Sequence, residues 1–427
     1  MTYCFLSAFQ SAATALNVVF CSMTKCKLVK NTKFRVSPDT IPNVPNLRFP
    51  GFEGEWEECT IKDFGRVVTG STPPTSDNRY YENGLRLWAS PTDLRDDKYI
   101  SETCTKLSED GFAKTRVIPQ GSTMVTCIGS TIGKMGMASC EMSTNQQINS
   151  VISNTQTDSQ FLYYAIQARF PRYSQSIAVQ AVPILSKSSF EQLKNYRPLL
   201  QEQQKIGSFL DLIDRRISIQ NKVIEDLKKL KTALEERLLD QCIGEQVRLG
   251  DILTERVEKS RINNQYEVLS STISGIYSQR EYFNKEIASA DNTGYKVIHR
   301  DDVVLSPQNL WMGNINFNDC FEIGIVSPSY KVFSINAKYD KRYIAFLLKS
   351  KKALWEYSLV SEQGASIVRR NLNIESFLGI AFHVPTRRQQ IESGDMITSV
   401  FDKIRIEQRY LKILFRQKHF LLNNLII

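Results

Sequence analysis

The sequence is poor in the side chains that most often build metal and nucleophile sites. Its 427 residues include three histidines, and none stands beside another plausible ligand at zinc or iron spacing. The nine cysteines are odd in number and scattered, and no two form a Cys-x-x-Cys pair. This pattern argues against a metal site and indicates reduced thiols in a cytosol. Because a general base has few candidates, no Ser/His/Asp or Cys/His catalytic set is predicted.

Cofactor-binding loops are also missing from the sequence. It has neither a Gly-rich cofactor loop nor the Asn/Asp-Pro-Pro-aromatic element with which an adenine methyltransferase holds a flipped base. The Pro-Pro pair Pro73-Pro74 is followed by Thr75. Residues 129–135 resemble a phosphate-binding loop, but the run is one residue short and lacks the Ser/Thr that binds magnesium. We interpret it as a turn between strands, and we expect no cofactor in this chain.

Charged residues are absent from residues 1–24, which contain apolar stretches. Such a start invites a signal-peptide interpretation, but it lacks a basic n-region and is diluted by polar residues. A membrane span is equally unsupported. We interpret residues 1–46 as an N-terminal extension, poorly ordered or partly an artefact of the start site, with Met23 as an alternative first residue. The expected location is the cytoplasm.

The composition indicates a soluble chain with a basic excess. A hydrophobic content of 42% is sufficient for two or three domains. The 54 Lys and Arg residues against 45 Asp and Glu give a net charge of +9. This excess suits a polyanionic partner, although a balance of this size is also common in ordinary enzymes.

An internal repeat organises the chain after residue 56. A shift of 187 positions superimposes the second half on the first without gaps near the end of each half, and a shift of 180 does so further upstream. The identities at 187 are Ser189-Phe190 with Ser376-Phe377, Pro198 with Pro385, Gln203 with Gln390, Gly207 with Gly394, and Lys231 with Lys418. The segments between share little, which is expected if two halves perform one task on different targets. Duplication followed by neutral drift is the alternative.

Each half ends in a helical pattern with apolar residues spaced alternately four and three apart, which is typical of a coiled-coil seam. The first seam runs from Ile206 to Leu238 and the second from Ile397 to Leu425. Because isolated helices would leave these seams in water, we expect them to pack against each other or against a partner. Antiparallel pairing with aligned midpoints brings Lys231 near Asp402 and Lys418 near Asp214.

These patterns divide the chain into five segments. The extension, residues 1–46, precedes a first globular domain at 47–198 and a long helix at 199–243. A second globular domain at 244–385 and a second long helix at 386–427 follow. Both globular domains mix β-branched runs with turn signals, which indicates an α/β fold.

Several motifs resemble the specificity subunit of type I restriction-modification systems. They occur in the family's order and cover nearly everything after about residue 46. The motifs are residues 47–56 (LRFPGFEGEW), 61–65 (IKDFG), 88–94 (WASPTDL), 145–148 (NQQI), 202–206 (EQQKI) and a second copy at 248–252 (RLGDI) and 385–391. The second helix departs from the first, since it opens with Arg387-Arg388-Gln389-Gln390 and lacks the acidic residue that precedes the glutamine.

The resemblance implies two target-recognition domains related by the repeat, each followed by a long helix, with the two helices paired as an antiparallel coiled coil. It implies that each domain binds one half of a split double-stranded DNA sequence. Two methyltransferase subunits would bind the helices and supply S-adenosylmethionine, and separate restriction/translocase subunits would cut DNA. The chain itself would be non-catalytic.

Base recognition in the major groove uses Arg and Lys at guanine, Asn and Gln at adenine, and Ser or Thr more loosely. For each candidate below, a solvated loop or a turn cap is the alternative. The first-domain candidates are Ser71, Thr72, Arg79, Ser90, Thr92, Lys134, Asn145, Gln146 and Gln180. The second-domain candidates are Ser306, Gln308, Asn309, Asn314, Gln363, Ser366, Arg369 and Arg370, of which Arg369-Arg370 is the best phosphate-binding cluster.

Other interpretations remain open from the sequence. Trp88 and Trp311 would stack on bases or lie in the core. The whole chain would be a specificity subunit, a coiled-coil scaffold whose globular domains bind proteins, or an enzyme fused to a DNA-binding module. The third needs a cofactor or metal site, for which the sequence offers no motif.

Overall fold

The computed structural model describes residues 29–30, 43–95, 97–177, 183–280, 291–363 and 370–427. The predicted extension therefore lies almost entirely outside the described residues. The chain divides into two compact units, Met1–Asn221 with Arg409–Ile427, and Lys222–Gln408. Within the described ranges, no helix is long and apolar enough to cross a membrane.

The first unit is built around two β-sheets. One has the strand order β4-β12-β9-β10-β6 and the other β7-β5-β11-β8, while β1-β2 and β3-β13 form separate pairs. The strands are β1 (Val29–Lys30), β2 (Leu47–Arg48), β3 (Glu57–Thr60), β4 (Gly65–Thr69), β5 (Arg86–Ala89), β6 (Tyr99–Ile100), β7 (Thr105–Leu107), β8 (Val117–Ile118), β9 (Thr123–Thr126), β10 (Met135–Ala138), β11 (Met142–Thr144), β12 (Ile148–Ser153) and β13 (Lys194–Arg197). The helices are α1 (Ile61–Phe64), α2 (Glu109–Ala113), α3 (Ser159–Ile177), α4 (Lys187–Glu191) and α5 (Leu200–Glu235).

The five-stranded sheet separates two hydrophobic cores because side chains alternate between its faces. Val125 and Met137 join a core formed with the helices. Met124 and Ala138, their neighbours in sequence, join a second core shared with the four-stranded sheet. Strands β9 and β10 are consequently buried along their whole length.

A buried polar network ties this sheet to helix α5. The Lys98 ammonium contacts Asp211 Oδ1 at 2.8 Å and Tyr164 OH at 3.0 Å, and Tyr99 OH donates to the same Asp211 oxygen at 2.7 Å. The Lys98 and Asp211 side chains are 3% and 9% exposed. Arg215 contacts the second Asp211 oxygen from the same helix at 2.7 Å. A buried charge of this kind is tolerated because it is paired and hydrogen-bonded.

The network shifts the pKa of both partners. Burial lowers the pKa of Lys98, and the hydrogen bond and charge of Asp211 offset part of that effect. Burial alone would raise the pKa of Asp211, but hydrogen bonds from Lys98 and Tyr99 lower it overall. The Asp211 carboxylate therefore stabilises the fold above its unfolded pKa, and this contribution is lost as the pH falls through the lowered folded value.

The second unit has one four-stranded sheet, β15-β22-β19-β20, and four strand pairs: β14-β25, β16-β17, β18-β21 and β23-β24. Its strands are β14 (Glu245–Arg248), β15 (Leu253–Glu255), β16 (Leu269–Thr272), β17 (Gly275–Ser278), β18 (Lys296–His299), β19 (Asp302–Leu305), β20 (Ile315–Phe317), β21 (Ile323–Val326), β22 (Lys331–Ile335), β23 (Ser361–Gln363), β24 (Arg370–Leu372) and β25 (Ala381–Val384). Its helices are α6 (Leu249–Ile252), α7 (Lys341–Leu347), α8 (Lys351–Leu359), α9 (Ile374–Gly379) and α10 (Arg387–Leu425). Here too, Val303 and Val304 point into different cores.

The glutamine shared by the two predicted repeats makes the same contacts in both units. Gln203 accepts from the Asp158 amide at 3.0 Å and donates to Pro198 O at 2.9 Å. Gln390 accepts from the Asp340 amide at 2.9 Å and donates to Pro385 O at 2.8 Å. Each aspartate in turn accepts an amide of the following helix, Phe161 at 2.8 Å and Tyr343 at 3.0 Å.

The acidic residue missing from the second helix has a visible role in the first. Glu202 is 1% exposed and forms a two-bonded ion pair with Arg48, both bonds 2.8 Å. This pair holds the segment that precedes the first unit's repeat. In the second unit Gln389 takes the position and caps α10 instead, accepting from the Thr386 hydroxyl at 2.8 Å and its amide at 3.2 Å.

The long helices follow the predicted seams. Every predicted seam position with a described side chain is buried or half-buried, including Ile206, Leu210, Ile397 and Leu414. A π-helical turn at Glu236–Asp240 follows α5. The predicted helical segments, 199–243 and 386–427, contain α5 and α10.

One of the two predicted ion pairs is present. Lys418 contacts Asp214 at 2.7 Å inside the first unit, as expected. The prediction of an ion pair between Lys231 and Asp402 was wrong. Lys231 contacts Glu235 one turn along its own helix at 3.2 Å and lies 4.3 Å from the Phe401 ring centre, while Asp402 contacts Arg405 at 2.7 Å. The charged partners of Lys231 and Asp402 thus lie in their own helices, at spacings of four and three residues.

We expect Asp211→Asn to lower the free energy of unfolding by about 3 kcal/mol, because it removes the carboxylate that the buried Lys98 ammonium contacts directly at 2.8 Å. Urea unfolding of the whole chain measures this. The double variant Lys98→Met with Asp211→Leu should recover much of the loss. Glu58→Gln, which breaks an exposed pair with Lys194, should have almost no effect. Equal losses from Asp211→Asn and Glu58→Gln would contradict the buried-pair argument.

Candidate nucleic-acid interface

Most first-domain candidates lie at one end of the two sheets of the first unit. Strands β4, β5, β9 and β11 end there, and β8, β10 and β12 begin there, as their pairing registers require. We call the loops at this end, residues 70–72, 90–93, 116, 134 and 145–147, the loop surface. It brings together seven candidates: Ser71, Thr72, Ser90, Thr92, Lys134, Asn145 and Gln146.

Gly70 allows two of these loops to touch through their backbones. A Cβ at Gly70 would lie 2.1 Å from Asn145 O and 2.3 Å from Thr144 O. The close approach lets the Gly70 amide donate to Ile148 O at 3.0 Å and the Ser71 amide to Thr144 O at 2.8 Å. The Trp88 indole also donates to Ser71 O, at 3.0 Å. Residues 70–72 are therefore held against the 145–147 loop.

Asn145 shapes the loop that presents Gln146. Asn145 is 8% exposed. Its side-chain oxygen accepts from the backbone N–H of Gln147, and its side-chain nitrogen donates to Gln147 Oε1, both at 3.0 Å. Gln146 is exposed, and its Oε1 accepts a hydrogen bond from the Thr72 hydroxyl. Asn145 is thus engaged within the loop, while Gln146 projects from it.

The neighbouring loop after β5 is closed by an aspartate. Asp93 Oδ2 accepts from the Ser90 amide at 2.8 Å and the Ser90 hydroxyl at 2.7 Å. The Ser90 and Thr92 hydroxyls also lie 2.7 Å apart, and Thr92 is exposed. Ser90 therefore stabilises this turn through its bonds to Asp93, as in the alternative interpretation of a turn cap. Its contact with DNA stays a prediction.

Arg116 is a basic residue of the loop surface that the sequence analysis missed. Its amide donates to the Ser71 hydroxyl at 2.9 Å and its guanidinium to Thr69 O at 2.9 Å, and the residue is exposed. Lys134 is also exposed, just before β10. In the sequence Arg116 is simply a basic residue before the Val117-Ile118 strand. That position does not reveal that Thr69 and Ser71 lie next to it in the fold.

One described first-domain candidate, Arg79, does not lie at this surface. Arg79 lies on the short 3₁₀ helix Asn78–Tyr80, where its guanidinium contacts Asp77 at 2.8 and 3.0 Å. Gln180 lies outside the described residues. Their DNA-binding roles stay predictions.

In the second unit four candidates, Ser306, Gln308, Asn309 and Asn314, lie in one polar turn after β19. Ser306 begins the 3₁₀ helix Pro307–Met312, and its amide donates to Asn314 O at 2.9 Å. The Asn309 carbonyl accepts from the Asn314 amide at 3.2 Å. The Asn314 side chain is 5% exposed and bonds Ser271, accepting from its hydroxyl at 2.8 Å. Asn314 thus fastens this turn to strand β16.

Gln308 is the exposed candidate of the same turn. Lys349 supports the turn from below, since its ammonium donates to Gly313 O at 2.7 Å and Ile273 O at 3.1 Å. Burial lowers the pKa of Lys349 to about 8.

The Arg370 guanidinium lies 4.2 Å from the Trp311 ring centre. This ring therefore packs on an arginine of its own unit, and Trp88 likewise bonds within its unit. Gln363 pairs with Arg370 in the β23-β24 hairpin, but its side chain, like Ser366 and Arg369, lies outside the described part. The predicted phosphate-binding cluster is described at Arg370 alone.

Residues 53–229 match the sequence model of the family described as the type I restriction modification DNA specificity domain. The type I restriction enzyme HindI specificity subunit of Haemophilus influenzae is 29% identical over 184 residues, which are 41% of this chain and 39% of that protein. The MjaIX specificity subunit of Methanocaldococcus jannaschii is 29% identical over 186 residues, 42% of this chain and 43% of that protein. The chain thus spans about two fifths of the length of the curated relatives it matches.

A solved structure is similar over most of the chain. The crystal structure of a type I restriction-modification S subunit from M. genitalium matches with a TM-score of 0.58 and 16% identity, covering 90% of this chain and 99% of that one. At this identity the match shows the fold, which is mixed α/β as predicted.

We expect Gly70→Ala to lower the free energy of unfolding by more than about 2 kcal/mol, because its Cβ would collide with two backbone carbonyls that cannot rotate away. Thermal and urea unfolding of the full chain measure this. Gly379→Ala is the control, since a Cβ there meets nothing within 4 Å. A Gly70→Ala variant as stable as Gly379→Ala would show that the two loops are not held together.

Proposed function

We propose, from the premise that this chain belongs to the family of type I restriction-modification specificity subunits, that it binds a bipartite sequence in double-stranded DNA and directs partner subunits to it. The observation that carries the proposal is the family match over residues 53–229, which includes the whole loop surface.

The loop surface suits direct recognition of base edges. It offers an exposed amide at Gln146, an exposed hydroxyl at Thr92 and cations at Lys134 and Arg116, which are the groups that distinguish base pairs in a major groove and bind phosphates. These side chains project from loops fixed by backbone hydrogen bonds, so little backbone entropy is lost when they bind.

We propose further that the two units are duplicated target-recognition domains, one for each half of the sequence. The support is the matching set of contacts made by Gln203 and Gln390, each between a proline carbonyl and the start of a helix. Residues 47–198 and 244–385 would be the two domains. The second unit would present Gln308 and Arg370 from its polar turn.

The two long helices would pair as an antiparallel coiled coil that sets the gap between the half-sites. The buried seam positions and the Lys418–Asp214 pair support this arrangement. The length of the pair would then determine how many base pairs are left unread.

The partners would be two methyltransferase subunits, which supply S-adenosylmethionine, and separate restriction/translocase subunits in the cytoplasm. Several large apolar side chains on the long helices are exposed, which is typical of a surface that another protein covers. They are Leu212, Ile219, Ile406, Ile413, Phe415 and Phe420. The chain itself would contribute recognition and no catalytic group.

Co-expression with a partner methyltransferase subunit should produce N6-methyladenine at one split motif, mapped by single-molecule sequencing of host DNA. Exchanging residues 47–198 for those of another specificity subunit should change one half of the motif and leave the other half. The purified chain alone should methylate nothing. A stable complex that methylates no defined motif would contradict the proposal and favour a scaffold.

Insertion of one helical turn at the same level in α5 and α10 should lengthen the unread gap and leave the bases read unchanged. Four residues add about 6 Å of helix, which corresponds to about two base-pair steps. The same motif mapping measures the gap. A motif with the original gap but altered bases would show that the helices do not set the spacing.

A further inference from the structure

We propose that Gln146, held by Thr72, reads an adenine in the half-site of the first unit. The inference rests on the proposed function and names the base that one residue of the loop surface recognises. It follows from the orientation of a single side-chain amide.

The loop that carries Gln146 is fixed on both sides. The backbone N–H of Asn145 donates to Ala89 O at 2.9 Å, and the backbone carbonyl of Gln147 accepts from the backbone N–H of Cys127 at 2.8 Å. The Asn145 side chain closes the turn by its two contacts with Gln147. The backbone of Gln146 is therefore set by both sheets, and only its side chain projects outward.

Thr72 fixes which way the Gln146 amide points. Because the Thr72 hydroxyl donates to Oε1, the amide oxygen faces Thr72 and the Nε2 group faces away. Among the described residues, Nε2 has no hydrogen-bond partner, and Oε1 keeps a second lone pair. The side chain thus presents one donor and one acceptor in a defined order.

This pair of groups complements adenine. In the major groove adenine shows an N7 acceptor beside an N6 donor, which a glutamine amide contacts with two bonds. Guanine shows two acceptors there, so its O6 would face Oε1 without a proton between them. Thymine has no donor and cytosine no adjacent acceptor, and each would leave one amide group unpaired.

The other polar groups nearby are engaged or suited to a different role. Asn145 is buried, and the Ser71 hydroxyl accepts from Arg116. The Ser90 hydroxyl bonds Asp93. The exposed Arg116 guanidinium bonds Thr69 O through one nitrogen, and its other N–H groups suit a phosphate, which would position the loop without specifying sequence.

Gln146→Glu tests the assignment in the complex with the partner methyltransferase subunit. The carboxylate still accepts from Thr72 but cannot donate to adenine N7, and it can accept from the N4 amino group of cytosine. Selection from duplexes randomised across both half-sites should show one position of one half-site changing from A to C. Affinity for the original sequence should fall roughly 10-fold or more, while the other half-site stays unchanged.

Two further variants make the test specific. Gln120→Glu adds the same charge at an exposed position in the turn after β8, which the strand register places at the opposite end of the sheet, and it should change nothing. Thr72→Val removes the hydroxyl that orients the amide and should weaken the preference for A at the same position. The melting temperature of each variant establishes that it is folded.

The outcomes separate this inference from the proposed function. If the unmodified complex selects a split motif and Gln146→Glu selects the same one, Gln146 is not a base reader and the proposed function stands. An equal loss of binding to all sequences would make Gln146 a backbone contact and would also overturn the inference. If the unmodified complex shows no sequence preference, the proposed function fails and the inference fails with it.

Discussion

The folded chain depends first on satisfying backbone groups where a globular unit meets a long helix. A helix start leaves amides without partners, and a buried one needs side chains to supply them. Gln203 and Gln390 do this from inside the long helices, each binding a proline carbonyl before its own helix and an amide before the helix of the globular unit. Gly207 and Gly394, one turn further on, leave room for the aspartate that completes the contact.

Around this shared contact the two units stabilise themselves differently. The first unit adds buried charge, with Arg48 on Glu202 and Lys98 on Asp211. The second replaces the first of these pairs by a glutamine cap at Gln389. A buried ion pair contributes geometry more dependably than net stability, so the pairs of the first unit hold a particular arrangement of strand and helix.

The sequence was sufficient for the elements that depend on periodicity and poor for those that depend on tertiary contact. The seams were predictable because burial along a helix follows a 3.6-residue period, and the shared glutamine was visible as a repeat identity. The partner of Lys231 was not predictable. Lys231 is half-buried in the seam, and whether it contacts Glu235 or a residue of another helix depends on the tertiary packing. Arg116 was missed for the same reason, because its neighbours Thr69 and Ser71 precede it by more than forty residues.

The central sheet of the first unit serves one core on each face, one shared with the helices and one with the four-stranded sheet. Met124 and Val125 point to opposite faces of this sheet. A substitution in the core shared with the four-stranded sheet and one in the core shared with the helices therefore change the packing of different sets of side chains. Residues of the core shared with the four-stranded sheet can therefore be replaced while the core that holds the helices keeps its packing. A change of side-chain volume on one face of the sheet can therefore be absorbed without repacking the other face.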